Sequence, residues 1–148
     1  MTLVRPLSEA DYADCHALYE AFVGTPDVAG KSQFIKVLGQ NSTTMFGAEV
    51  AGRVRAMATL HLMENMSYGG RPYALIENVV THPDFRGQGL GRAVLTHIEE
   101  VVKAANGYKI MLLTGREYGA QGFYESLGYN AEEKVGIIKR WNAVPHSR

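Results

Sequence analysis

The sequence predicts a mixed α/β domain, a mostly antiparallel sheet with helices on both faces. Three observations carry this. β-Branched and alternating apolar runs recur along the chain, helical apolar stripes interrupt them, and the two together read β-α-α-β-β-β-α-β-α-β. Hairpin-linked strands precede a βαβ-like unit, which is not the repeat of a doubly wound parallel fold. A length of 148 residues suits one domain with a real core, so a single domain over 1–148 is expected, with 142–148 as a loose tail.

The elements follow in order. "TLVRPL" is a short strand. Ser8 then caps a helix, with Asp11 three residues on in a capping-box arrangement. Tyr12, Leu18, Tyr19 and Phe22 fall on one stripe of that helix. "VGTPDVAG" breaks it, and a second helix over 31–39 uses Phe34, Ile35 and Leu38. Residues 43–50, "TTMFGAEV", form a strand, "AGR" turns the chain, and "VRAMATLHLME" returns as the next strand. "PYALIENVVTH" is a third, rich in β-branched residues. Leu90, Val94, Ile98 and Val101 mark a helix to about residue 105, closed by Asn106-Gly107. "YKIMLLT" is a strand, Ala120, Phe123, Tyr124 and Leu127 mark a short helix, and Gly128 stands at its C′ position. "KVGIIKRW" is the last strand, which makes a sheet of six or seven strands.

Composition narrows the class. Apolar residues are 46%, charged residues 20%, and fifteen basic residues cancel fifteen acidic ones. Bulk electrostatic binding to nucleic acid or to an anionic membrane is therefore not expected. The single cysteine, Cys15, lies in a helical pattern and reads as a small apolar core group. The first residues lack the apolar core of a signal peptide, and no apolar run approaches the roughly 18 residues of a membrane span. A cytoplasmic location is the default expectation.

Residues 86–92, "RGQGLGR", carry the chemistry. A dinucleotide fingerprint needs a third glycine where Arg92 stands, and no acidic residue ends the next strand to hold a ribose. An ATP loop needs Lys-Ser/Thr after its last glycine, where Arg92-Ala93 stand. The physics still favours a phosphate. Glycines let backbone N–H groups converge on an anion, and these lie at the start of a helix, where the dipole favours negative charge. Arg86 and Arg92 flank the turn and can add charge-assisted contacts. A plain Gly-rich turn between strand and helix is the competing reading.

Arg86-x-x-Gly89-x-Gly91 after Val79-Val80-Thr81-His82-Pro83 resembles the acetyl-CoA signature of the GCN5-related N-acetyltransferase (GNAT) superfamily. "FYESLGY" at 123–129 is similar to that family's second conserved segment, and the order of elements matches over nearly the whole chain. The resemblance implies an acyl-CoA N-acyltransferase fold, acetyl-CoA as acetyl donor, and no metal. It implies that Gly87, Gln88, Gly89, Leu90, Gly91 and Arg92 hold the CoA pyrophosphate. It also implies that the strand of Val79, Val80 and Thr81 follows the pantetheine arm, bulging and splaying from "YKIMLLT" to free its amides. Small domains of this family often dimerise through edge strands, so a homodimer is expected, with "KVGIIKRW" as a candidate surface.

Acetyl transfer to an amine needs a base, an oxyanion donor and an acid for the leaving thiolate. Tyr124, where the family places a tyrosine, is the leading acid; its competing role is core packing beside Phe123 and Leu127. Glu77 is the leading base. It sits in an apolar strand, where a carboxylate is costly without a task or a partner, and strict alternation puts it on the face of Leu75, Val79 and Thr81. Its competing role is a structural hydrogen bond. The oxyanion donor implied by the resemblance is a backbone N–H near Asn78 or Val79. Asn78, His61 and Arg116 are candidates for the acceptor side, whereas His82 before Pro83 reads as a turn residue. Lys31 and Lys36 can meet an anionic acceptor or simply form a solvated helix face.

"LIENVVTHPDFRGQGLG" with "YKIMLLT" and "GFYESLGY" is especially similar to the glucosamine-6-phosphate N-acetyltransferases. Asn78 stands where those have aspartate, and the loop "TGREYGAQ" is longer and lacks their acidic, lysine and asparagine pattern. The expected activity is acetyl transfer to a primary amine of a small molecule. The alternatives are glucosamine 6-phosphate itself as acceptor, a non-catalytic CoA-binding regulatory module, or a binder of another nucleotide.

Overall fold

The structure is a computed structural model and describes residues 2–24 and 27–141. The expected loose tail, 142–148, lies outside the described residues. The chain forms two compact units, Met1–Leu112 and Leu113–Arg148.

The first unit contains β1 (Thr2–Pro6), α1 (Tyr12–Val23), α2 (Lys31–Leu38), β2 (Thr43–Val50), β3 (Arg53–Met63), β4 (Tyr73–Thr81), α3 (Leu90–Ala104) and β5 (Lys109–Met111). The strands lie side by side in chain order. The first three pairings are antiparallel, and β4–β5 is parallel. β2 and β3 join through a two-residue loop, Ala51-Gly52, with both φ angles positive, which matches the twist of a hairpin.

Side chains alternate between the two faces of the sheet. Met45 of β2 packs with Cys15 and Leu18 of α1 and Phe34 of α2, whereas its neighbour Phe46 meets His97 of α3 with ring centroids 5.1 Å apart. Helices therefore cover both faces, as the sequence predicts. Cys15 is fully buried, and burial pushes its thiol up to about 12. Three details of the stripes differ from expectation. Val102 rather than Val101 joins Leu90, Val94, Leu95 and Ile98 in the core. On α2, Phe34, Val37 and Leu38 share the inner face, one helical turn apart, and Ile35 points away at 38% exposure. β5 is three residues long, shorter than the seven-residue run that suggested it.

The sheet has five strands rather than six or seven. The difference is residues 134–141, which join no ladder among the described residues. Val135 and Ile137 are 85% and 90% exposed. Strand propensity is largely packing against neighbours, and these side chains are exposed rather than packed.

In the second unit, α4 (Gln121–Ser126) ends in the predicted glycine cap. The Gly128 N–H donates to Glu125 O at 3.0 Å and the Tyr129 N–H to Tyr124 O at 3.2 Å, the paired bonds of a Schellman ending. The Tyr124 ring touches those of Phe123 and Tyr129.

Ion pairs tie α1 and the turn before it to the sheet. Arg5 donates to both oxygens of Asp11 at 2.9 Å and to Glu49 at 2.8 Å. Arg53 donates to Asp14 at 2.6 Å, and the Val54 N–H donates to the same carboxylate at 3.0 Å. Asp11 also accepts from the Ser8 N–H at 2.9 Å, half of the predicted capping box. Hydrogen bonds from Arg5 hold the Asp11 carboxyl below the usual carboxylate range, and those from Arg53 do the same for Asp14. A carboxylate whose folded pKa is depressed stabilises the fold above its unfolded value near 4, and that stability is lost as pH falls through the folded value. The melting temperature should therefore hold between about pH 7 and 5 and fall below about pH 4. In an Asp11→Asn/Asp14→Asn variant, thermal melts should show a lower plateau and a shallower acid slope.

Candidate functional site

β4 carries one residue too many for its neighbour. Met57 pairs with Val80 and Thr59 with Glu77, so Asn78 and Val79 together face the single residue Ala58. This is a β-bulge, and Asn78 adopts the left-handed conformation it requires, with φ of 54°. The Tyr19 hydroxyl of α1 lies near the side chains of Thr59 and Asn78, at the bulge. Burial pushes the Tyr19 phenol above its ordinary value, which keeps it a neutral partner.

The bulge has two consequences. It breaks the alternation assumed from the sequence. Met45, Thr59 and Glu77 form one cross-strand row on the α1 face, and past the bulge Val80, not Val79 or Thr81, returns to that face. In addition, β4 pairs with β5 only from Tyr73 to Leu75, so the ladder ends before the bulge begins. The expected bulge is present, and the β4–β5 ladder ends at Leu75.

β4 leads through a turn into the glycine segment. The His82 ring accepts from the Asp84 N–H at 3.1 Å and meets Phe85 edge-on, and the Arg55 guanidinium lies 4.7 Å from the Phe85 ring centre. These contacts brace the turn at Pro83–Phe85. Beyond it, Gly87 and Gly89 have φ of 75° and 78°, and a Cβ at either would meet nothing within 4 Å. Backbone angle, not crowding, is what asks for glycine there. Gly89 caps α3, whose first flanking bond runs from the Ala93 N–H to Gly89 O at 3.0 Å. The amides of the first turn have no acceptor within the helix, so they and the helix dipole suit an anion. Arg86 and Arg92 are exposed at the rim. The arrangement fits a pyrophosphate.

On the α1 face, a cavity of about 250 Å³ opens between α1, α2 and the sheet, with Tyr12, Tyr19, Phe34, Met45 and Asn78 in its wall. A larger cleft, about 770 Å³, lies on the α3 side and is bordered by Leu62, Arg71, Val101 and Ala105. Val101 stands eleven residues along α3 from Leu90, about 16 Å from the glycine turn at 1.5 Å per residue. The smaller cavity touches the bulge through Asn78.

The predicted residues separate as follows. Glu77 is exposed on the α1 face, in the row of Met45 and Thr59, so burial is not what accounts for its place in an apolar strand. Val80 gives its side chain to the core and keeps only its backbone for a ligand. Val79 and Thr81 are half-buried. His61 shares a 2.8 Å hydrogen bond with the buried Thr43, a structural partner. Tyr124 and Arg116 belong to the second unit. Burial pushes the Tyr124 phenol up, and Arg116 is exposed in the turn Arg116–Tyr118. The sequence reading missed Tyr12, His16 and Tyr19 as cavity-lining residues. Their spacing along one face of α1 was legible, and their aromatic, polar-tipped character was the available signal.

A bulged strand that leads into a glycine-capped helix defines a protein that can hold a pyrophosphate beside an opened strand. The chain belongs to the acetyltransferase (GNAT) family, whose model matches residues 10–129. It is 34% identical over 92 residues to the glucosamine 6-phosphate N-acetyltransferase of Trypanosoma brucei brucei, a match that covers 62% of this chain and 61% of that protein. An uncharacterized N-acetyltransferase of Methanocaldococcus jannaschii is 35% identical over 48% of this chain and 30% of its own length. The chain thus spans less than two thirds of the curated relatives it matches. Among solved structures, a protein named "Putative acetyltransferase" from Agrobacterium tumefaciens str. C58 superposes with a TM-score of 0.88 at 37% identity, covering 94% of this chain and 99% of that one. The glucosamine-6-phosphate N-acetyltransferase of Arabidopsis thaliana, at 18% identity and a TM-score of 0.81, shares the fold.

Replacing Gly89 with alanine should force a left-handed alanine at about 1–2 kcal/mol. Urea denaturation should show that loss, and where the turn relaxes to escape the strain, calorimetry should show weaker CoA binding.

Proposed function

We propose that this chain is an acetyl-CoA-dependent N-acetyltransferase that acts on a primary amine of a small molecule by direct attack in a ternary complex. One observation carries the reading: β4 loses its β5 partner after Leu75, bulges at Asn78, and runs on to left-handed Gly87 and Gly89 at the start of α3. A strand with open backbone positions suits the amide-bearing pantetheine arm, and the glycine turn suits the pyrophosphate. CoA supplies the activated acetyl thioester.

The chain's own groups then divide the chemistry. Glu77, accessible on the α1 face, takes the proton of the acceptor ammonium, directly or through water. The amine nitrogen bonds to the acetyl carbon, and an N–H of the bulge near Asn78 or Val79 donates to the oxyanion. The C–S bond breaks, and Tyr124 gives its proton to the departing thiolate. Burial holds the Tyr124 phenol above its ordinary value near 10, so it stays protonated through the neutral range, as an acid must. The trypanosomal relative favours glucosamine 6-phosphate as a second reading of the acceptor. Residues 134–141, with Val135, Ile137, Ile138 and Trp141 exposed and in no ladder among the described residues, are proposed to pair with the same segment of a second copy.

Calorimetry should detect acetyl-CoA binding, and thiol release should appear with an amine acceptor; no binding would overturn the reading. Tyr124→Phe and Glu77→Gln should each lower kcat about 10²–10⁴-fold, the usual worth of a positioned acid or base, with the KM for acetyl-CoA within about threefold. Light scattering should report a dimer, and Ile137→Lys should convert it to a monomer.

A further inference from the structure

We propose that the cavity between α1, α2 and the sheet selects an acceptor whose primary amine is carried on an apolar, ring-sized body, an arylalkylamine rather than a sugar phosphate. This inference rests on the acetyl-transfer reading above and names its acceptor class.

Position comes first. The cavity wall includes Met45 and Asn78 from the sheet, with Met45 in the cross-strand row that ends at Glu77. An amine at the sheet end of the cavity therefore lies on the side of the sheet where Glu77 is accessible, beside the bulge. The wall chemistry comes next. Tyr12, Tyr19, Phe34, Val37 and Met45 make most of it apolar or aromatic, and the Tyr12 and Phe34 rings meet at 5.6 Å. Aromatic faces attract cations, so an ammonium entering past these rings is favoured.

Charge then disfavours a phosphate. Among the described residues of the wall there is no lysine or arginine, and the carboxylate of Asp27 is present. His16, also in the wall, has its Nδ1 2.6 Å from Glu20. Lys31 and Lys36 are exposed on α2 and stand outside the wall. A phosphate taken out of water without cationic partners is strongly disfavoured, whereas an apolar ring gains by the same move. Size agrees as well. A dry apolar cavity of roughly 150 Å³ accepts a benzene, so about 250 Å³ takes one ring and a short aminoalkyl arm.

The test is an acceptor panel at saturating acetyl-CoA, read by thiol release, with 2-phenylethylamine, glucosamine 6-phosphate and spermidine as probes and acetyl-CoA binding measured in parallel. The expected result is a kcat/KM for 2-phenylethylamine at least about 100-fold above that for glucosamine 6-phosphate, on the scale of a site that must desolvate the wrong group. Acetyl-CoA binding with equal or better use of glucosamine 6-phosphate or spermidine, or with no use of the aryl amine, overturns the acceptor class alone. Absence of acetyl-CoA binding overturns the underlying acetyl-transfer reading. Phe34→Leu, a substitution that keeps an apolar side chain in the core, should raise KM for 2-phenylethylamine about tenfold or more and leave the acetyl-CoA Kd within twofold. Unchanged aryl-amine kinetics in that variant would place the acceptor elsewhere.

Discussion

The bulge at Asn78 is the constraint on which the rest of the site depends. β4 already lacks a β5 partner beyond Leu75, and with regular alternation its ladder with β3 would run unbroken. One extra residue opposite Ala58, with Asn78 at φ of 54°, changes this at a single point. Such a backbone angle is costly for most residues and more tolerable for asparagine. The Tyr19 side chain of α1 stands beside Asn78 and Thr59 at this kink. The bulge therefore lies against the helix layer, which is in turn clipped to the sheet by Arg53–Asp14 and, through the turn before α1, by Arg5–Asp11.

The two faces of the sheet then do different work. α3 buries its stripe on one face and presents its N-terminus, capped by left-handed Gly89, at the end of the strand path. α1 and α2 cover the other face loosely enough to leave a cavity whose floor includes the bulge. Donor and acceptor can thus approach the same backbone from different sides. Holding two reactants in that relation is itself a large part of catalysis for acyl transfer.

How much of this was legible in the sequence depends on the kind of feature. β2 and α3 begin where the apolar patterns begin, because burial on one face enforces a period that the sequence must display. The glycine turn was legible through residue identity, since positive φ at Gly87 and Gly89 admits few alternatives. The bulge was not legible from Glu77-Asn78-Val79 by itself. Bulging is a backbone event set by register with β3, and the expectation of it came only from family resemblance. Its effect on side-chain direction was invisible for the same reason: strict alternation put Val79 beside Glu77, where the structure puts Val80. Residues 134–141 failed in the opposite sense. Their β-branched composition was plain, but composition cannot supply an edge for pairing.

Acceptor choice follows from where the charges already are. Arg5 is shared between Asp11 and Glu49, and Arg53 is held by Asp14. These guanidinium groups near α1 serve the fold rather than a ligand. The lysines of α2 lie on its exposed face. What remains around the cavity is mostly aromatic and aliphatic surface, with polar groups at Tyr12, His16, Tyr19, Asp27, Gln33 and Asn78 and no lysine or arginine among the described residues. A wall of this kind discriminates through shape and desolvation, which separate an apolar amine from a phosphorylated one more sharply than they separate two apolar amines from each other. Under the proposed reading, the donor is held by backbone geometry common to the fold, whereas the acceptor is selected by a few side chains on α1 and α2, where resemblance to relatives carries the least information.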